Sequence, residues 1–273
     1  MWGDEFNSGK INNNIWQYGT TYDQVPDDNV YYNKDLVQVD DSGEVVFTIE
    51  YKDEKFYHPP DLHTKSTMNY KFGYIEMRAK LPFAKNAWSA FWMQSIVDNE
   101  GTLAKTDKTV YNSYKSEIDV FETFGSPDSF VSNLHKWYKV KSGETEITYD
   151  EQLTKYHRYE YVFDQKEKSE YHIIGMEWTD KYIKMFVDGV PVPFGCFNYS
   201  DFDTSSLRFE GGATFLGSGA GYQGFLEPLL VSIGTAVANA YQPDMNNLPN
   251  EYRIDWIRLY QKNPVKNSTI WTR

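Results

Sequence analysis

Apolar and polar residues alternate with a period of two through several stretches of the chain, the spacing of strands that bury one face. Residues 44–50, 70–81, 171–178, 182–188 and 252–260 combine this spacing with β-branched and aromatic side chains, and each reads as a strand. In Lys181-Tyr182-Ile183-Lys184-Met185-Phe186-Val187-Asp188-Gly189, Ile183, Met185 and Val187 share one face and Tyr182, Lys184 and Phe186 the other. The first set is predicted to face a core. Turn signals stand between the strands, among them Asp40-Asp41-Ser42-Gly43, Thr179-Asp180-Lys181 and Asp188-Gly189. No long stretch repeats at helical spacing, so the pattern predicts an all-β chain of two packed antiparallel sheets. One outer face is expected to be aromatic and polar, which suits stacking on sugars.

Composition narrows the class. No linker rich in Pro, Ser or Gly divides the 273 residues, so a single domain over residues 1–273 is expected. With 40% hydrophobic and 17% aromatic residues the chain is not disordered, and no apolar run is long enough to cross a bilayer. Lys and Arg number 27 against 39 Asp and Glu, a formal net charge of −12, which argues against nucleic acid as a partner. The lone Cys196 excludes an internal disulfide and a thiolate metal cluster. His58, His63, His157 and His172 have no metal-ligand spacing, so no catalytic metal or other catalytic cofactor is expected. A monomer that meets neither nucleic acid nor membrane is the expectation.

The chemistry concentrates in Ser116-Glu117-Ile118-Asp119-Val120-Phe121-Glu122-Thr123-Phe124. On a regular strand Glu117 and Asp119 point to one side and Glu122 to the other. A β-bulge at Val120-Phe121 would return Glu122 to the face of the other two acids, and bulges are common beside active sites. The interleaved Ile118, Val120 and Phe121 predict that the opposite face of this strand is buried, so the acids are not a solvated charge run. Three carboxylates in one stripe repel one another unless their protonation states differ. Retaining glycoside hydrolysis uses that difference, with an ionised nucleophile and a protonated acid roughly 5–5.5 Å apart.

These residues resemble glycoside hydrolase family 16, whose signature is Glu-Ile-Asp followed by an apolar pair and Glu. The resemblance extends to Trp2-Gly3-Asp4-Glu5-Phe6-Asn7, to 72–82, to Ala87-Trp88-Ser89-Ala90-Phe91-Trp92-Met93, to 172–189 and to 252–261, in order along nearly the whole chain. It implies a β-jelly-roll sandwich with an open cleft and retaining cleavage of internal β-linkages in a polysaccharide. Glu117 is then the nucleophile, Glu122 the acid/base and Asp119 the assisting carboxylate. The five-residue spacing is similar to the bulged branch that holds laminarinases, agarases, carrageenases and porphyranases. Trp88 and Trp92, four residues apart, would share a strand face and offer flat platforms for pyranose rings, and the resemblance places Glu76 and Arg78 on a strand bordering the cleft. His135 stands near the acid/base and Trp137 on the same face. A structural calcium is implied on the convex face, held by Glu5, the Gly43 carbonyl and Asp255.

The resulting expectation is a secreted endo-acting enzyme on β-1,3- or mixed-linked glucan. The opening residues, from Met1 to Asn7, carry no secretion leader. An algal galactan is the nearer rival substrate, kept open by Lys105, Lys108, Lys115, Lys136 and Lys139. A lectin on the same sandwich and a transglycosylase are the other readings. Residues 98–115 and 139–165 are expected to be long polar insertions that shape the cleft ends.

Overall fold

A computed structural model describes residues 2–19, 30–65, 68–95, 99–100, 105–106, 109–142, 145–152, 159–199, 225, 227–238, 244–245 and 248–261. Within them lie β1 (Trp2–Asp4), β2 (Trp16–Tyr18), β3 (Val30–Tyr32), β4 (Val37–Val39), β5 (Val45–Lys52), β6 (Lys55–His58) and β7 (Leu62–Thr64). There follow β8 (Gly73–Lys80), β9 (Ala87–Ser95), β10 (Asn99–Glu100), β11 (Lys105–Thr106), β12 (Thr109–Glu122), β13 (Ser129–Ser142), β14 (Thr145–Gln152) and β15 (Tyr159–Val162). The last are β16 (His172–Trp178), β17 (Tyr182–Val187), β18 (Val190–Asn198), β19 (Leu229–Val237) and β20 (Asn250–Tyr260). A 3-10 turn spans Lys34–Leu36.

The strands form two sheets. One runs β18-β17-β16-β8-β20-β5-β6-β3, with β1 beside β20 and β4 beside β5. The other runs β14-β13-β12-β9-β19-β7-β2, with β10 and β11 on β12 and β15 on β13. We call them the back sheet and the acid sheet, since β12 carries Glu117, Asp119 and Glu122. Apart from the parallel pair β3 and β6, the described pairings are antiparallel. The predicted strands are all present, and the alternation fixes their faces. In β17, Ile183, Met185 and Val187 are buried while Tyr182, Lys184 and Phe186 are half-exposed. The turn after it puts Asp188 and Gly189 at φ of 50° and 75°, the left-handed region that Asp and Gly tolerate best.

The inner faces meet in one core. Ile75 and Met77 of β8, Met176 of β16 and Ile254 and Ile257 of β20 lie across from Phe91, Met93, Ile118, Val120 and Ile233 of the acid sheet. Phe121 of β12 packs edge-on against Tyr252 of β20, with ring centroids 6.0 Å apart. Burial pushes the Tyr252 hydroxyl well up in pKa, and that hydroxyl donates to Met77 Sδ at 3.0 Å.

Residues 98–115 and 139–165 differ from the insertions expected. Much of both segments is strand: β12 pairs with β13 from Val110↔Lys141 to Glu122↔Val131, and β14 extends the sheet beyond β13. Their charges mask the β-branched and aromatic residues, such as Val110-Tyr111 and Ile147-Thr148-Tyr149, that favour an extended backbone.

Candidate active site

Strand register lays out the outer face of the acid sheet. Asp119 of β12 stands opposite Asn133 of β13 on one side and Trp92 of β9 on the other, and the row continues through Ser232 and His63 to Gln17. The neighbouring row runs His135, Glu117, Gln94, Leu230. Directly opposed residues of an antiparallel pair share a face, so Glu117, Asp119, His135 and Trp92 lie on one surface.

The bulge decides where Glu122 goes. Between Asp119 and Glu122, three steps along β12 match only two along β13, from Asn133 to Val131. Against β9, Asp119 pairs with Trp92 and Phe121 with Phe91, two steps against one. Val120 and Phe121 are accordingly both fully buried, although they are consecutive. Glu122 then returns to the acid face, opposite Val131 and Ala90. Four strand steps separate the Glu117 and Glu122 backbones, about 13 Å, and two glutamate side chains leaning inward over Asp119 close that span.

Asp119 is 3% exposed and its Oδ2 lies 3.1 Å from His135 Nε2. His135 is itself buried, with Nε2 2.8 Å from Asn133 Nδ2, and the Leu134 N–H donates to Asn133 Oδ1. One oxygen each of Glu117 and Asp119 and a ring nitrogen of His135 lie within 4.8 Å of one another. Desolvation at such a site strengthens every interaction between charges, so neighbouring carboxylates there can differ in protonation. By donor type these three are also the one group among the described residues able to hold a metal ion.

Both tryptophans of β9 lie on this face, packed with Ala90 and Ala236. Trp92 is 5% exposed and forms part of the floor. Trp88 Nε1 donates to Glu122 Oε1 at 3.0 Å. Trp137 is placed by register on the face of His135, and its side chain lies outside the described residues, as do those of Lys105, Lys115, Lys136 and Lys139; Lys108 is outside them altogether.

Two expectations need correction. Glu76 and Arg78 do not border this surface. They lie on β8 in the back sheet, on the side away from the core, where Arg78 pairs with Asp255 at 2.6 Å and stacks on Tyr171 at 4.3 Å. Alternation tells which residues share a face but not which sheet a strand joins. The calcium ligands do not fit a cation as they stand. Both oxygens of Glu5 are forked by Arg258 at 2.8 and 2.9 Å, a hydrogen bond that lowers the Glu5 pKa, and Asp255 is taken by Arg78. Gly43 closes a turn, its N–H donating to the Asp40 carbonyl at 3.0 Å.

Gln94, Asn133 and His63 were not anticipated from sequence. The first two could have been found, since Gln94 is two residues from Trp92 and Asn133 two from His135 on predicted strands. His63 carries no such signal, because β7 is only three residues long.

Residues 25–194 match the model of glycosyl hydrolases family 16, well over half of the chain. The chain belongs to that family. Among curated family relatives, the glucan endo-1,3-beta-glucosidase A1 of Niallia circulans is 23% identical over 96% of this chain and 38% of its own length. A beta-glucanase of Rhodothermus marinus is 26% identical over 69% of this chain and 62% of its own length. The chain thus spans only part of the length of these relatives. Among solved structures, the laminarinase catalytic domain from Thermotoga maritima superposes with a TM-score of 0.63 at 22% identity, covering 96% of this chain and 98% of that one. A laminarinase from Flavobacterium sp. UMI-01 gives 0.61 at 20% identity over 96% and 99%. These likenesses carry the family 16 sandwich to this chain.

Proposed function

We propose that the protein is a secreted, retaining endo-β-glycosidase that hydrolyses internal linkages of β-1,3- or mixed-linked β-1,3-1,4-glucan by double displacement. The observation that carries this reading is the bulge at Val120-Phe121, which brings Glu122 onto the face of Glu117 and Asp119. Glu117 attacks the anomeric carbon while Glu122 gives its proton to the departing glycosidic oxygen. Glu122 then takes a proton from water, whose oxygen displaces Glu117 and restores the configuration. Asp119, tied to His135, keeps the two glutamates unequal in charge, and the Trp92 floor receives a sugar ring. The names of the relatives support glucan over galactan.

The test is release of reducing ends, with product sizing, from laminarin, mixed-linkage glucan, agarose, porphyran and carrageenan, using wild type beside Glu117→Gln. Oligosaccharides from the two glucans, with loss of at least about 10³-fold in the variant, are expected. Release from a galactan alone moves the substrate to that class. Binding to a polymer without release from any of them makes the protein a lectin.

A further inference from the structure

Trp88 is built into its position more firmly than a sugar platform requires. Its neighbours Ala87 and Ser89 are latched to the chain that follows Glu122. The Thr123 N–H donates to the Ser89 carbonyl at 3.0 Å, and the Gly125 N–H to the Ala87 carbonyl at 2.9 Å. Thr123 Oγ1 accepts from the Ser89 N–H at 2.8 Å and donates to the Ala87 carbonyl at 3.0 Å. Between these bonds Phe124 sits at φ 46°, a left-handed conformation that an aromatic residue rarely adopts, and remains 41% exposed. Its ring lies 4.8 Å from that of Trp88. The strained residue therefore serves the ring pair rather than the core, and the ring pair aims the indole N–H at Glu122 Oε1, 3.0 Å away.

We propose that Trp88, wedged by Phe124, is a positioning residue that fixes Glu122 Oε1 and so orients the carboxyl that exchanges the proton with the glycosidic oxygen and with water. The proposal rests on the acid/base reading of Glu122. An N–H donated to a carboxylate favours its ionised form, so the indole restrains the proton affinity of Glu122 against the neighbouring negative charge. The titratable groups facing Glu122 are Glu117 and Asp119 on its own strand, His135 on β13 and Glu160 on β15, which is one strand beyond Val131. β9 and β19 contribute none.

Trp88→Phe keeps a ring against Phe124 and removes the donor. Released from the indole, Glu122 binds its proton more tightly, so the basic limb of the kcat/KM profile on laminarin moves up by about 0.5–1 pH unit while the acidic limb stays. kcat on the polymer falls on the order of tenfold with KM within about twofold. With a dinitrophenyl β-glucoside oligomer, whose leaving group needs no proton, kcat/KM, which reports the step before water attacks, falls less than about twofold. Phe124→Ala, which frees the ring pair without touching Trp88, shifts the same limb in the same direction by less. A KM raised severalfold in Trp88→Phe, with the basic limb unmoved in both variants, overturns the proposal and makes Trp88 a sugar platform. Glu122→Gln, assayed alongside, separates the two levels. Polymer hydrolysis equal to wild type in that variant overturns the acid/base reading itself, whereas its loss with an unmoved limb in Trp88→Phe overturns only the positioning role.

Discussion

Asp119 lies between the two glutamates, almost wholly buried, with an imidazole nitrogen 3.1 Å from its Oδ2. A carboxylate there is tolerated only because charge and hydrogen bonding are arranged around it. Asp119→Asn keeps the shape and removes the charge that partners His135. The expected outcome is a fall in kcat on the order of 10²-fold with KM changed by less than about threefold, measured on the glucan that wild type cleaves. Unchanged kcat would show that Asp119 only fills space. At this scale the acids were legible in the sequence because spacing alone, Glu-x-Asp-x-x-Glu between apolar residues, dictates their relation. The partners of each side chain were not. Trp88 reads from its spacing as a platform, yet its indole is spent on Glu122. Arg78 reads as a cleft guanidinium, yet its charge is taken by Asp255.

One extra residue in β12 accomplishes what the site needs. It lets Val120 and Phe121 both point inward, and Phe121 uses the added depth to touch Phe91, Phe130 and Tyr252, tying the acid sheet to the back sheet. Burial of a large ring beside the bulge is therefore what holds Glu122 outward. Phe121→Ala should destabilise the fold by about 3–5 kcal/mol, read as a lower urea midpoint at unchanged slope. A loss below about 1 kcal/mol would mean that the bulge is held by its hydrogen bonds alone. The individual strands and the bulge were legible because period-two alternation and its interruption are local features. Long-range pairing was not. Nothing in residues 73–80 announces that β8 lies between β16 and β20 rather than beside β9, and the charges of residues 98–115 conceal the first half of the strand that carries the acids.

Over the whole molecule, two sheets divide the labour. The back sheet turns its polar side outward with arginines fully engaged: Arg258 with Glu5, Arg78 with Asp255, and Arg253 with Asp40, Glu44 and Glu251. The acid sheet turns outward a floor of Trp92, Ala90 and Ala236 beside Glu117, Asp119, Glu122 and His135. The layered architecture was readable from alternation, and the family from one motif and the order of the strands around it. The calcium was carried by resemblance alone, and the arginines that pair with Glu5 and Asp255 were the part the motif could not report. On the double-displacement reading Glu117 forms a covalent bond to the anomeric carbon of a glucosyl unit on the acid face, inverting it before water restores the β-configuration. That bond is tested most directly by incubating the protein with a 2-deoxy-2-fluoro-β-laminaribiosyl fluoride and mapping the adduct by peptide mass spectrometry. One fluorinated disaccharide on Glu117 and none in Glu117→Gln is the expected result; an adduct on another carboxylate, or none while laminarin is still hydrolysed, would show that Glu117 is not the nucleophile.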